Sequence, residues 1–385
     1  MRLREAVDAW RLSDVPVGSL LSGGVDSASL AALLTDIIGG QIHTFTIGFS
    51  ATSHDESALA RDTARFLGSH HHVLTFSAAD FDHLPHVVRH LEEPQCSATS
   101  VPIYLLYQAC REAGFKVILT GEGADELLGG YHWFEGDRRV RRLLHLPRPI
   151  RAILARAPIP ASAAARRVIA HGTFDPVQRY MLWQQVGSPA QLAALFRTPP
   201  PPLLTASVRR QESPFRSASG GLRTGPGGEA HPLDQFLFLE SQTRMIDFIN
   251  FEVDRMSMAS SVEARPPFLD HHLWEFCAAL PPDCKLSPNG NKRLLRLGMK
   301  DRLPASILRQ PKRGLATPHA DWWRADRLPA WAEDCLHPSA LAETGYFNTK
   351  EVARLRDLHR SGRADTSRLL TGVLTTQLWH AEFVR

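Results

Sequence analysis

The chain has little of what marks several common protein classes. Its five cysteines (Cys96, Cys110, Cys277, Cys284 and Cys335) are odd in number, widely spread and free of any Cys-x-x-Cys pair. That argues against a disulfide scaffold and a zinc ribbon, and fits a reducing cytoplasm. No apolar run approaches the ~20 residues needed to span a bilayer. The opening Met1-Arg2-Leu3-Arg4-Glu5 leads into no apolar core of a secretory signal. The expectation is a cytoplasmic protein with no membrane partner. An excess of either charge is also missing. A net charge of +4 over 385 residues permits anionic small molecules and does not argue for nucleic acid. There is no Gly-Lys pair, so the common mononucleotide loop cannot be completed. There is no dinucleotide fingerprint either, because Glu126 stands where the third glycine after Gly121 and Gly123 would fall.

What is present is ordinary in bulk. Hydrophobic content of 43% and charged content of 22% suit a globular chain with an ample core, in one large domain or two smaller ones. Periodicity predicts a short helix from Leu3 to Trp10 and a buried strand from Val17 to Leu21, followed by a glycine turn and a helix from Ala28 to Ile38. A strand over Ile42–Phe49, a helix over Glu56–Leu67 and a strand over His72–Phe76 follow. A helix over Ile103–Ala113 and a strand over Lys116–Thr120 complete the pattern. This alternation predicts an α/β fold with a doubly wound parallel sheet, its ligand site beyond the strand C-termini.

After about Tyr131 the composition changes. The expected organisation is an α/β core over 1–135, a variable helical and loop insertion over 136–232, and a largely helical part over 233–385 that completes the site. Arg138 to Arg167 is rich in arginine and alanine and reads as a solvated helix face, without the aromatic interleaving of a nucleic-acid surface. Pro199 to Pro202 is a proline run, and the Ser/Gly/Pro-rich stretch Ser217–Gly228 reads as a mobile surface loop. His70-His71-His72, at a predicted helix-to-strand junction with no acidic or cysteine partner nearby, reads as structural rather than metal-binding.

Two strings carry chemistry. Leu20-Leu21-Ser22-Gly23-Gly24-Val25-Asp26-Ser27 takes a strand through a turn into a helix. Its glycines allow close backbone approach, the helix start favours an anion, and Ser22 and Ser27 supply hydroxyls. Asp26 is repulsive to phosphate unless a divalent cation bridges the two. The second string, Thr120-Gly121-Glu122-Gly123-Ala124-Asp125-Glu126, crowds three carboxylates at another strand end, which is costly without cations. Together they predict a metal–nucleotide site in which Asp26 and Asp125 share Mg²⁺ across the sheet top.

Ser22-Gly-Gly-Val-Asp-Ser27 resembles the pyrophosphatase loop of N-type ATP pyrophosphatases. Arg11–Gly18, Leu91-Glu-Glu-Pro94, Gly121–Glu126, Asp254–Ala259, Ser261–Asp270 and Gln310–Pro318 narrow the resemblance to the synthetase domain of glutamine-hydrolysing (class B) asparagine synthetases. The resemblance implies an adenine nucleotide alpha hydrolase-like fold, with ATP and Mg²⁺ as cofactors. A carboxylate, aspartate first among candidates, would be adenylated with release of pyrophosphate, and ammonia would then displace AMP. By residue matching it implies that Ser22, Gly23, Gly24, Asp26 and Ser27 hold the phosphates. Leu20, Ile47, Thr120 and Gly121 would contact adenosine, Lys312 would neutralise developing phosphate charge, and Glu122 would support the acyl-adenylate. Glu126 and Arg265 are further substrate candidates. For Glu263 and Arg265 a buried ion pair fixing the helix pack is the other reading.

The family enzyme begins with a glutaminase half whose N-terminal cysteine is not seen here. The expectation is truncation, a separate glutaminase supplying ammonia, or a substrate amine as nucleophile. The last would make the chain a macrolactam or β-lactam-type cyclase, although the β-lactam synthetases carry tyrosine at the position of Glu122. A catalytically silent scaffold is the third reading, which intact Ser22, Asp26, Ser27, Glu122, Asp125 and Lys312 oppose. No nucleic-acid partner is expected, and a homodimer is left open.

Overall fold

Val17–Leu20 (β1), His43–Phe49 (β2), His70–Phe76 (β3), Val117–Leu119 (β4) and Glu263–Arg265 (β5) form one sheet in the order β3-β2-β1-β4-β5. Every pairing is parallel, with Ser19 of β1 opposite Thr44 of β2 and Leu119 of β4. A computed structural model describes residues 1–50, 55–158, 161–198, 231–287, 290–312, 314–315, 317–325 and 327–384. The proline run 199–202 and the stretch 217–228 lie outside the described residues.

Alternate side chains of the short central strands feed opposite faces. Ile118 and Leu119 are both fully buried. Ile118 joins Phe45, Tyr107 and Val262 on one side, and Leu119 joins Leu21, Leu30 and Leu34 on the other. Burial of each such side chain contributes about 1.5–3 kcal/mol. The first face is covered by Ser100–Glu112 (α5) and the helix Phe251–Ala259. The second is covered by Arg2–Trp10 (α1), Val25–Ile38 (α2) and Ser57–Leu67 (α3). This is the expected doubly wound arrangement. Leu84–Leu91 (α4) extends the first face into a separate core containing Phe76, Phe81 and Trp322. Ala124–Leu128 (α6) and His132–Val140 (α7) carry the chain away from β4.

The strand order turns back between β1 and β4, and in such sheets the crevice beyond the two strand ends is where ligands bind. The loops that emerge there are Leu21–Gly24 and Thr120–Gly123.

Several expectations shift. Helix α2 begins at Val25 rather than Ala28, because Gly24 is extended (φ −91°, ψ 152°) and caps it. Asp26 and Ser27 therefore lie in the first helical turn, where an acid is favoured by the helix dipole. Strand β3 begins at His70 rather than His72, so the whole histidine triple lies inside it: His72 bonds His43 at 3.0 Å and His71 bonds Thr44 at 2.9 Å. Among the described residues no group of three or more His, Cys, Asp or Glu is arranged to hold a metal. The arginine-rich stretch is less solvated than expected. Arg151 is buried and donates to the Gly172 carbonyl at 2.7 Å, while Arg166 donates to the carbonyls of Ala155 and Ala157 at 2.8 Å. Strand β5 was not expected. Three residues show no period, and they become a strand only by pairing with β4. No helix among the described residues is long and apolar enough to cross a membrane.

Candidate functional site

The first loop is organised around two hydroxyls. Ser22 N–H donates to Ser27 Oγ at 2.9 Å, the two Oγ atoms are 2.9 Å apart, and Gly24 N–H donates to Ser22 Oγ at 3.2 Å. The turn is thus held by side chains that also face the crevice. In the second loop Gly123 takes φ 92°, and a Cβ there would meet Leu269 at 2.5 Å. Only glycine turns the chain there without strain.

Asp26 and Asp125 come together as expected, and two lysines join them. Lys312 Nζ lies 2.7 Å from Asp125 Oδ2 and 3.8 Å from Asp26 Oδ2. Lys292 Nζ donates to Asp26 Oδ2 and lies 2.6 Å from Asp125 Oδ1. Lys292 is buried at 1% side-chain exposure, whereas Lys312 is 25% exposed and reaches the cavity. Burial works against the Asp125 charge, but the two ammonium groups outweigh it and bring its carboxyl down to about 2. Burial likewise opposes the Lys312 charge, yet Asp125 and Asp26 raise its pKa. Gly130 makes the approach possible, since a Cβ there would sit 1.8 Å from Asp125 Oδ1 and 2.1 Å from Lys292 Cε.

The lysine segments are tied to each other. Asn291 Nδ2 donates to the Gly130 carbonyl at 2.6 Å. Arg296 donates to Asn291 O at 3.0 Å, to Leu308 O at 2.7 Å and to Gln310 O at 3.0 Å. One guanidinium therefore fixes both the turn that carries Lys292 and the end of the helix Ala305–Arg309 that leads to Lys312.

The other carboxyls behave differently. Glu122 is pushed up to about 7, chiefly by burial, and its Oε2 is buried without a hydrogen-bond partner. Glu126 is also pushed up to about 7 by burial and by the charge of Asp125, while Tyr131 Oη donates to its Oε1 at 2.6 Å. Tyr131 stacks on Trp133 with ring centroids 4.1 Å apart, and Arg244 lies over both rings at 4.7 and 5.0 Å.

These groups surround a cavity of about 280 Å³. Leu20, Ser22, Asp26, Ser27, Ile47, Gly121, Glu122, Asp125, Glu126 and Lys312 line it. Gly23, Gly24, Thr120 and Arg265 are not among the lining residues. Thr120 is fully buried behind the loop. The expected contact of Arg265 with substrate is not met by its geometry. On edge strand β5 its guanidinium donates to the carbonyls of Trp10 at 3.0 Å and Leu12 at 2.6 Å, clamping α1 and the segment before β1. Its pair with Glu263 is 2.9 Å long, with Glu263 58% exposed, so it is not the buried pair expected.

Sequence reasoning missed Lys292, Glu252 and Tyr107. Tyr107 and Glu252 line the cavity beside Glu122. Glu252 is the one that carried a signal, as a carboxylate within the largely apolar run Phe248-Ile-Asn-Phe-Glu-Val253.

The arrangement can bind a polyanion that brings its own counter-charge. Asp26 Oδ1 is buried with no hydrogen-bond partner, and the donors are carboxylate oxygens, which suit a hard divalent cation. Asp26 and Asp125 are the residues that fit such an ion, with further ligands left to phosphate and water.

A family model described as asparagine synthase matches residues 1–381. A putative glutamine-hydrolysing asparagine synthetase of Mycobacterium tuberculosis is 32% identical over 386 residues, covering 99% of this chain and 57% of that protein. Asparagine synthetase 1 of Bacillus subtilis is 26% identical over 380 residues, covering 98% of this chain and 58% of its own. A protein named amidase chyE from Penicillium rubens is 30% identical over 360 residues, covering 83% of this chain and 52% of its own. The chain spans a little over half the length of the curated relatives it matches.

Proposed function

This chain belongs to the asparagine synthase family, and we propose that it is an ATP-dependent amide-forming ligase that adenylates a carboxylate, aspartate first among candidates, and passes the acyl group to ammonia. The observation that carries this reading is the meeting of Asp26, Asp125, Lys292 and Lys312 at the sheet's switch point, beside Glu122.

A carboxylate and a triphosphate repel each other, so the site must cancel charge before in-line attack. Asp26 and Asp125 would hold Mg²⁺, which when bound neutralises phosphate charge. Ser22 and Ser27 hold the departing pyrophosphate, with the Gly23-Gly24 turn behind them setting their positions. Leu20, Ile47 and Gly121 provide the apolar and backbone wall for adenosine, with Thr120 buried beneath Gly121. The substrate oxygen forms its bond to the α-phosphorus while the bond to pyrophosphate breaks, and Lys312 offsets the charge that develops. Ammonia then forms the C–N bond as AMP leaves. Its source, free or from a glutaminase, is part of the proposal.

The test is Mg²⁺-dependent exchange of labelled pyrophosphate into ATP, stimulated by L-aspartate. Asp26→Asn and Asp125→Asn should each lower the rate by at least ~100-fold, as each removes a ligand to transition-state charge. Formation of ADP and phosphate in place of AMP and pyrophosphate would sink this reading.

A further inference from the structure

A second cavity, of about 80 Å³, shares no lining residue with the first. It opens between α7, the turn Arg141–His145 that follows it, and the start of the helix Pro232–Gln242. Phe134, Pro232, Phe236 and Leu286 give it apolar walls, and Arg138 and Arg141 give it two guanidinium groups. Arg141 is half-buried, yet it makes no hydrogen bond and no ion pair among the described residues. Arg138 has only Glu135, 3.9 Å away, and Arg139 holds that carboxylate more closely. Of the acids that line the cavity, Asp137 is taken by Arg179 at 3.0 Å and Trp183 at 3.2 Å, and Asp283 is exposed.

A guanidinium withdrawn from water without a partner is costly. Burial opposes the charge of Arg141, and Arg142 and Arg179 repel it further, with Asp137 alone in its favour. Two guanidinium groups over apolar walls suit a carboxylate with a short tail. The space takes about five to eight water-sized groups, which admits a small acid and excludes a nucleotide. His231 adds a donor: its Nδ1 accepts the Leu233 N–H at 3.2 Å, so the ring proton stands on Nε2.

The cavity also touches the turn that assembles the acid pair. Leu233 and Leu286 line it, and a Cβ on Gly129 would lie 3.7 Å and 3.6 Å from their side chains. Gly130 comes next, where Asp125 and Lys292 meet, with its carbonyl bound by Asn291.

We propose that this second cavity is a regulatory site for a small monocarboxylate, its carboxylate on Arg141 and Arg138 and its tail against Phe134, Phe236 and Leu286. A ligand there backs Leu233 and Leu286 against Gly129 and steadies the contact of Asp125 with Lys292, so occupancy raises the rate of pyrophosphate exchange. The site stands on its own geometry, and its effect on exchange rests on the ligase reading.

Butyrate is the probe, with butyramide as its uncharged counterpart and inorganic phosphate as an anion without an apolar tail. Calorimetry on the full chain without nucleotide should show butyrate binding in the millimolar range. Butyramide and phosphate should bind at least ~10-fold more weakly, and so should butyrate to Arg141→Met. That variant loses no partner, so its unfolding midpoint should not fall, and Arg141→Lys should keep part of the affinity. At saturating L-aspartate, butyrate should raise exchange in the parent by ~5-fold or more and leave Arg141→Met unchanged. No butyrate binding, equal binding to Arg141→Met, or tighter binding of phosphate overturns the site. A response that persists in Arg141→Met puts butyrate in the first cavity and overturns it too. Binding with unaltered exchange overturns the regulatory role. If butyrate binds while the parent exchanges no pyrophosphate with any acid tried, the ligase reading falls and the site stands.

Discussion

Lys292 holds its ammonium 2.6 Å from Asp125 while its own backbone sits at φ 52°, a left-handed conformation unusual for a residue other than glycine. A buried cation on a strained turn persists only where its surroundings over-determine it. Here those surroundings are two carboxylates, the Gly130 backbone and the Arg296 clamp. We read Lys292 as the residue that keeps the acid pair assembled, and Lys312, a quarter exposed, as the one that works on the ligand.

Lys292→Met should therefore act first on stability. It leaves Asp26 and Asp125 with one cation between them in a buried place, a loss of about 3–5 kcal/mol where a buried pair is broken. Denaturant unfolding without nucleotide measures this. The deficit should shrink as pH falls from the ordinary carboxylate range toward about 2, the window in which the lysines keep Asp125 ionised. A loss below ~1 kcal/mol at neutral pH would remove Lys292 from this role.

Gly130→Ala tests the same contact from the other side. The added methyl falls 1.8 Å from Asp125 Oδ1 and 2.1 Å from Lys292 Cε, so the carboxylate and lysine must separate. Pyrophosphate exchange should fall by at least ~100-fold, since misplacing a group by about 1 Å is enough for that loss. Near-parental exchange in a folded variant would show that the acid pair need not be held this closely.

These contacts also mark where reading the sequence stops. The α/β order, the two glycine loops and the pairing of Asp26 with Asp125 were legible because glycine turns and strand ends announce themselves locally. The position of Lys292 was not. Asn291-Lys-Arg-Leu-Leu-Arg296 looks like any basic helix start, and only the fold brings it under Gly130. Arg265 misled for the opposite reason. Its motif pointed to the site, while the pairing of β5 with β4 turned its guanidinium toward the carbonyls of Trp10 and Leu12. Glu252 was hidden by the length of chain between it and Glu122.

For Lys312 the expectation is kinetic. Lys312→Met should lower kcat for adenylation by ~100-fold or more with little change in KM for ATP, as befits a charge that acts on the transition state. Lys292 still holds both acids in this variant, so its unfolding midpoint should move much less than that of Lys292→Met. A raised KM with kcat unchanged would make Lys312 a binding group.

The raised carboxyls predict how stability follows pH. Glu122 titrates at about 7 in the folded chain against an ordinary value of 4.5. Between those values the folded state keeps a proton that the unfolded chain has released. The folded state then binds more protons, so stability falls as pH rises through this window and levels off above about 7. The full drop from this group is on the order of 3–4 kcal/mol. Glu122→Gln has no proton to lose, so its unfolding free energy should decline less steeply from about pH 5 to about pH 7. The decline will not vanish, because Glu126 is raised into the same window. Asp125, held at about 2, titrates below it and does not interfere. Acid–base titration of unfolding by urea, parent against variant, reads the difference directly. The same variant should lose adenylation activity while gaining stability near pH 8, and equal pH slopes in the two proteins would refute the raised carboxyl.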